Sequence, residues 1–362
     1  MSLAVWMGGA CSEIDRFRRT RPGDSTPYGR LLEAAGYSSA VVDVIAGTSA
    51  GGLNGALMAA SVVDGRVFDE QVRNLWLRIG DLGKLLRPVF GRWPKSLLIV
   101  GKSLLIVGKS LLDGDGYFYD QLYKEMKNLR QEFPAGQKPG QVRLDLVLTG
   151  TLLDPQKVTD YPALGASIHS TRHRAAFRFR HQQRRPENEI PPPKEFNYRP
   201  SDFLVSGKVS EQCLQQLAYA ARSTSSFPGA FEPARIRFVR STASDREPPE
   251  PPSTFYGIYS ESRTSEPTNK DDDADRVVDG GVLDNIPISW AVRSIAAAPA
   301  SGAVDRWRFQ LSRRVMSVFS DPRGGDGELV VGASYIERRC GQCGSPSLSS
   351  SQGGLGEPPC EG

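Results

Sequence analysis

The sequence predicts an α/β fold, and two stretches carry that prediction. Residues 41–46 form an apolar run rich in β-branched side chains that ends abruptly in Gly47-Thr48-Ser49-Ala50-Gly51-Gly52, and an Ala/Leu/Met-rich helical pattern follows at once. Strand, tight turn and helix in immediate succession form the building unit of a sheet covered by helices. Well downstream, Val277-Val278-Asp279-Gly280-Gly281 repeats the arrangement. A short apolar strand runs into glycines, and Pro287 then opens another helical pattern, as its fixed φ allows. With 362 residues, 39% of them hydrophobic, the chain can bury one substantial core of this kind.

Taken in order, residues 3–19 pattern as a first helix and 28–35 as a second, stopped by Gly36. A strand over 40–46, the helix after the turn over 50–61 and an amphipathic helix over 67–79 follow. Ser-Leu-Leu-Ile-Val-Gly-Lys stands at 96–102 and again at 103–109, then Ser110-Leu111-Leu112, so 96–112 is a tandem repeat. Two copies are too few for a solenoid. The repeat reads as a duplication accommodated at the surface, or as an apolar flap whose Leu97, Leu98, Ile99 and Val100 would face substrate or membrane. Residues 117–133 pattern as a helix and 142–148 as a strong strand. Residues 169–185 carry three histidines and six arginines around Phe177 and Phe179, which suits an exposed alternating strand or a surface for anionic lipid headgroups. A helix over 209–222 precedes 241–275, whose Pro, Ser, Glu and Asp content reads as a mobile insertion. Beyond 298, where another apolar strand is expected, 305–323 is Arg-rich and broken, and 341–362 is Gly/Ser/Pro/Cys low complexity. Residues 299–362 therefore read as an atypical, poorly ordered tail.

Composition narrows the function classes. A net charge of +4, from 45 basic against 41 acidic residues, is too slight to imply nucleic acid. No apolar run approaches the roughly 18 residues of a membrane span. Residues 3–11 mimic a short signal or lipoprotein site but lack a preceding positive charge and a long enough apolar run. The five cysteines, Cys11, Cys213, Cys340, Cys343 and Cys360, are odd in number and scattered, which argues against a disulfide framework. Cys340-Gly-Gln-Cys343 is half of a zinc-ribbon spacing without its other half, so no metal and no cofactor is predicted.

The chemistry-bearing residue is Ser49. Gly-x-Ser-x-Gly between a strand and a helix is the setting of a nucleophile elbow: the serine sits at a strained apex, and Gly47 and Gly51 are small enough to pass the adjoining chain. The helix that starts at Ala50 aims free N–H groups and its positive dipole end at a developing oxyanion. A plain βα turn or an anion-binding turn fits the same residues. Asp279 would stand at the C-terminal end of a strand, where open α/β sheets place their chemistry. The chain's three histidines, His169, His173 and His181, all precede Asp279, so the order Ser…Asp…His is absent. Either one of them is recruited out of order, or the base is a carboxylate bonded directly to the serine.

Gly47-Thr48-Ser49-Ala50-Gly51-Gly52 with a distant Asp279-Gly280-Gly281 resembles the patatin-like phospholipase family. The stretch Ala220-Ala221-Arg222-Ser223-Thr224-Ser225-Ser226-Phe227-Pro228-Gly229-Ala230-Phe231-Glu232-Pro233 is similar to a family segment that follows a long helix. The opening Leu3-Ala4-Val5-Trp6-Met7-Gly8-Gly9 resembles a bacterial, largely actinobacterial, branch. The resemblance covers residues 1–298 and implies a single three-layer α/β/α domain with a mostly parallel sheet. It implies Ser49 as nucleophile, Asp279 as its base in a Ser–Asp dyad, and Ala50 N–H as an oxyanion donor. The implied activity is hydrolysis of a phospholipid or acylglycerol ester without cofactor or metal, on a lipid or membrane-surface substrate, in a protein that is cytoplasmic or peripheral at the membrane. One departure stands out: family members begin with a strand and a glycine-rich loop that completes the oxyanion hole, and in this branch those glycines precede the position of Met1. Gly8 and Gly9 fall inside the first helix and do not replace them. The resemblance thus implies a start called too late or an impaired product, with the strand before Ser49 left unpaired on one edge. The alternatives are a catalytically impaired lipid-binding or scaffold protein, or a Ser/His hydrolase of ordinary topology.

Overall fold

The computed structural model describes residues 2–68, 72, 76, 110, 112–131, 143–160, 165–182, 201–205, 208–239, 252–256, 274–298, 304–311 and 329–338, the last two stretches as backbone alone. Helix α1 (Ser2–Arg19) ends on Arg16, Arg18 and Arg19, whose charges suit the negative end of the helix dipole. Helix α2 (Pro27–Ala34) starts on a proline and is capped by Thr26, whose hydroxyl accepts from Gly29 N at 3.1 Å. Strand β1 (Tyr37–Gly47) leads through the turn into helix α3 (Ala50–Val63). A short π-helical turn (Gly114–Phe118) feeds helix α4 (Tyr119–Gln131). Strands β2 (Leu144–Asp160) and β3 (Ile168–His181) form a long hairpin. The short pair β4 (Leu204–Val205) and β5 (Lys208–Val209) precedes helix α5 (Glu211–Thr224). Then come β6 (Ala234–Val239), β7 (Thr254–Tyr256), β8 (Asp275–Asp279), helix α6 (Ile288–Ala296), β9 (Val304–Leu311) and β10 (Leu329–Arg338).

Eight strands form one sheet in the order β7-β6-β8-β2-β1-β10-β9, with β3 also paired to β2. On one face Val42, Ile45, Leu146, Leu148 and Phe177 join Met7, Leu57, Met58, Leu122 and Leu217 of α1, α3, α4 and α5. On the other, Val44, Ala46, Val147 and Ala176 meet Ala291 of α6, flanked by Ile288 and Trp290. The α/β/α layering is therefore present. The sheet itself is mixed rather than mostly parallel. Only β1–β2 and β6–β7 pair in parallel, while β2–β3, β2–β8, β6–β8, β1–β10 and β9–β10 are antiparallel. The physical reason is connection length: β1 reaches β2 through α3 and α4, whereas 161–167 join β2 to β3 too directly for a crossover.

The tail differs from its expectation in the same region. Residues 304–311 and 329–338 are strands, and β10 pairs antiparallel with β1 from Tyr37 opposite Arg338 to Gly47 opposite Leu329. The edge of β1 that the resemblance leaves unpaired is thus occupied by chain from 299–362, whose broken side-chain pattern hid a backbone ladder. The repeat at 96–112 and the insertion at 241–275 lie almost entirely outside the described residues, as does most of the helix expected over 67–79, of which Val72 and Trp76 are helical and buried. Gly8 serves close packing of α1 on α3: a Cβ there would sit 3.1 Å from Asn54 Oδ1 and 3.2 Å from Trp76 Nε1. A Cβ at Gly9 would meet nothing within 4 Å.

Candidate active site

The site is built where two strands end. Strand β3 follows β2 without a break from Leu144 to Thr151 and so fills one edge of it. Leu148 pairs across its other edge with Gly47 of β1, and Gly150 pairs across that edge with Asp279 of β8. Because β1 runs parallel to β2 and β8 antiparallel, their C-terminal ends face each other on one edge, with Thr149 between them. The chain leaves the sheet at this junction in both directions: toward Ser49 and α3 on one side, toward Gly280 and Gly281 on the other.

Local geometry explains the residue choices. Ser49 is, among the described residues, the one non-glycine with positive φ (φ 54°, ψ −124°). Holding an L-residue there costs about 1–3 kcal/mol and places its side chain at the apex of the turn. A Cβ at Gly47 would lie 2.6 Å from Gly51 O, and one at Gly52 2.5 Å from Thr224 Cγ2, so neither position accepts a side chain without movement. On the other side of the junction a Cβ at Gly280 would lie 2.4 Å from Thr149 Oγ1. The Thr48 and Thr149 hydroxyls are 2.5 Å apart, and both reach Asp284 O, at 2.9 Å and 3.2 Å. Ala50 is the first helical residue of α3, so its N–H has no intrahelical acceptor.

The end of α5 closes the gap between the strands. Thr224 O accepts from Ser49 N at 3.2 Å, and Ser226 O accepts from Asp279 N at 2.9 Å. The Thr224 hydroxyl donates to Thr149 O at 2.6 Å, locking this segment onto β2 at the same level. Asp279 is buried, and its Oδ1 accepts from Gly281 N at 2.7 Å. Behind the segment lies Arg222, 1% exposed, between Asp115 (3.0 Å) and Glu232 (3.2 Å). Burial pushes the Glu232 carboxyl up, but the Ser110 hydroxyl, backbone N–H donors including Asp115 N, and Arg222 outweigh it and bring it down to about 2. Burial raises Asp115, against the pull of Arg222.

The structure gathers Gly47, Ser49, Ala50, Gly51 and Asp279 at this junction. The histidines are engaged elsewhere: His173 Nδ1 with Leu152 O (2.9 Å), His169 Nδ1 with Thr159 Oγ1 (3.1 Å) and His181 Nδ1 with Ser201 Oγ (2.9 Å). Thr48, Thr149, Thr224, Ser226 and Arg222 were not marked as site residues by the sequence. Thr224, Ser226 and Arg222 lie inside the quoted 220–233 stretch, but only the fold shows what they hold. Among the described residues no three His, Cys, Asp or Glu side chains gather to hold a metal ion, and no helix is long and apolar enough to cross a membrane.

The sequence profile described as Patatin-like phospholipase matches residues 2–292, most of the chain and the whole of this junction. The chain belongs to the patatin-like phospholipase family. The family is one of lipid acyl hydrolases. This patatin-like chain is also 30% identical over 328 residues to the uncharacterized membrane protein Rv3479 of Mycobacterium tuberculosis (strain ATCC 25618 / H37Rv). That match covers 84% of the chain and 26% of the relative, so the chain spans about a quarter of that protein's length. No solved structure matches the patatin-like chain.

Proposed function

We propose that the chain hydrolyses an acyl ester of a phospholipid or acylglycerol with a Ser49–Asp279 dyad. Asp279 takes the Ser49 proton as Oγ attacks the acyl carbonyl, and Ala50 N–H at the positive end of α3 stabilises the resulting oxyanion. Collapse expels the alcohol, which receives that proton; water activated by the same carboxylate then releases the acyl group from Ser49. With Oδ1 held by Gly281 N, the proton-accepting role falls to Asp279 Oδ2. The observation that carries the reading is the end-to-end meeting of β1 and β8 on β2, which brings a strained serine and a buried aspartate to one level of the sheet.

An apolar substrate is supported by what surrounds the junction. Phe227 follows Ser226 directly and is 57% exposed; Val282 and Leu283, just after Asp279, are 53% and 48% exposed. Such a rim suits acyl chains and a lipid surface, in a protein that is cytoplasmic or peripheral at the membrane. The test is labelling with a fluorophosphonate probe together with ester turnover. Ser49→Ala should abolish labelling, Asp279→Asn should remove most turnover with the fold intact, and the His169/His173/His181 triple Ala variant should stay active. Labelling that survives Ser49→Ala would move the nucleophile elsewhere. A wild-type chain that neither labels nor turns over would be a lipid-binding protein instead.

A further inference from the structure

We infer that Arg222 is a positioning residue for Asp279, acting through Ser226; the inference rests on the Ser49–Asp279 reading above. Arg222 Nη1 donates to Ser226 Oγ at 2.7 Å, and Ser226 Oγ in turn reaches Arg222 O at 3.0 Å. Ser226 is therefore held by its side chain against the last turn of α5. Its carbonyl, 2.9 Å from Asp279 N, then sets where the C-terminal end of β8 lies beside β2. Asp279 is the last residue of β8, and the chain turns at Gly280 immediately after it. A shift of the Ser226 carbonyl moves the aspartate.

The guanidinium is itself fixed on three sides. Nη2 donates to Glu232 O at 3.0 Å and pairs with Glu232 Oε1 at 3.2 Å, and Nε pairs with Asp115 Oδ1 at 3.0 Å. Glu232 Oε1 also accepts from Gly114 N (2.9 Å) and Asp115 N (2.7 Å), and Oε2 from Ser110 Oγ (2.5 Å). Gly114 leaves no room for retreat, since a Cβ there would stand 2.5 Å from Nη2. Ion pairs to partly exposed carboxylates such as Asp115 and Glu232 add little net stability. What a rigid planar fork supplies is geometry. This cluster spends its order on Ser226, the residue that carries the base's backbone.

The experiment compares wild type with Ser226→Ala, Arg222→Lys, Arg222→Gln and Asp279→Asn. It reads kcat and KM on p-nitrophenyl butyrate, the fluorophosphonate labelling rate of Ser49, and melting temperature. Ser226→Ala keeps the carbonyl and removes the oxygen Arg222 grips. It should lower kcat and labelling rate about 10- to 100-fold, as expected for misplacement of a reacting group, with KM within about twofold. Arg222→Gln should do the same, and Arg222→Lys should recover part of the loss. If Arg222→Gln does not fold, Ser226→Ala and Arg222→Lys decide. Wild-type kcat in a folded Ser226→Ala or Arg222→Gln, or a loss that only tracks melting temperature, overturns the inference. An active Asp279→Asn would overturn the dyad reading instead, so the two failures are distinguishable.

Discussion

The backbone amides of Ser49 and Asp279 donate to carbonyls two residues apart, Ser49 to Thr224 and Asp279 to Ser226. Two strands that arrive from opposite directions are thus fastened to one short segment at the end of α5. The separation of Ser49 from Asp279 is set by the geometry of that segment, not by a loop on either side. It follows that changes near 224–226 should alter chemistry more than binding.

Thr224→Val tests this directly. The substitution keeps the shape and removes the hydroxyl that donates to Thr149 O at 2.6 Å, leaving a buried carbonyl without that partner. The expected loss is about 1–3 kcal/mol of stability. Denaturant unfolding measures it, and turnover per folded molecule should fall as well, because Ser49 N also lies 3.2 Å from that hydroxyl. An unchanged unfolding midpoint would show that Thr224 does not hold the segment.

Strain at Ser49 predicts an order of stabilities. Ser49→Ala and Ser49→Gly both remove the hydroxyl, but only glycine is at ease at φ 54°, ψ −124°. Relief of about 1–3 kcal/mol outweighs glycine's extra unfolded-state entropy of about 0.5–1 kcal/mol across most of that range, so Ser49→Gly should be more stable than Ser49→Ala by up to about 2.5 kcal/mol. Equal melting of the two variants would mean that the turn relaxes in solution.

How much of this was legible beforehand depends on what each residue type constrains locally. The tight turn was readable because Gly47 leaves no room for a side chain, with Gly51 O only 2.6 Å from where a Gly47 Cβ would be. Asp279 was readable as a strand end because glycines follow it. That β1 and β8 meet on the same edge of β2 was not, since pairing partners far apart in the chain leave no periodic signature. The antiparallel pairs β2–β8 and β1–β10 escaped for the same reason. Strand β9 (Val304–Leu311) lies in an Arg-rich stretch whose side chains argued against a strand, and there the ladder follows from backbone pairing with β10. Arg222 looked like one basic residue in a helix; only folding buries it between Asp115 and Glu232.

Two neighbouring glycines in α1 should behave oppositely. Gly9→Ala adds a Cβ into open space in a helix interior and should stabilise by about 0.5–1 kcal/mol. Gly8→Ala drives a Cβ to 3.1 Å from Asn54 Oδ1 and 3.2 Å from Trp76 Nε1, two atoms already bonded to each other at 3.1 Å, and should destabilise. Melting temperatures on either side of wild type confirm the packing of α1 on α3; a gain from both substitutions would refute it.

His181 should make stability depend on pH. Burial lowers its pKa from 6.5 to about 4, so the folded chain resists a proton that the unfolded chain accepts. Stability is complete above the unfolded value and falls as pH drops from about 6.5 toward about 4. Between about pH 7 and about pH 5 the loss should be roughly 2 kcal/mol. Because carboxylates also titrate at the acid end, the measurement is a difference: wild type minus His181→Gln, by denaturant unfolding at both pH values. A pH-independent difference would show that His181 protonates freely in the folded state.

The apolar rim gives the sharpest separation of lipid binding from chemistry. Phe227, Val282 and Leu283 are exposed within four residues of Ser226 or Asp279, yet their side chains take no part in the backbone hydrogen bonds that hold Ser49 and Asp279. Burying a large apolar side chain in a lipid interface contributes about 1.5–3 kcal/mol, whereas placing a carboxylate there is unfavourable. Phe227→Asp and Val282→Asp should therefore hydrolyse soluble p-nitrophenyl butyrate near the wild-type rate. On phosphatidylcholine vesicles the same variants should lose roughly 10-fold or more, from about 1.4 kcal/mol per tenfold of lost surface affinity. Vesicle sedimentation should show the loss as weaker binding. Equal losses on both substrates would place these side chains in the chemistry, and equal retention on both would mean that lipid approaches the junction from another side.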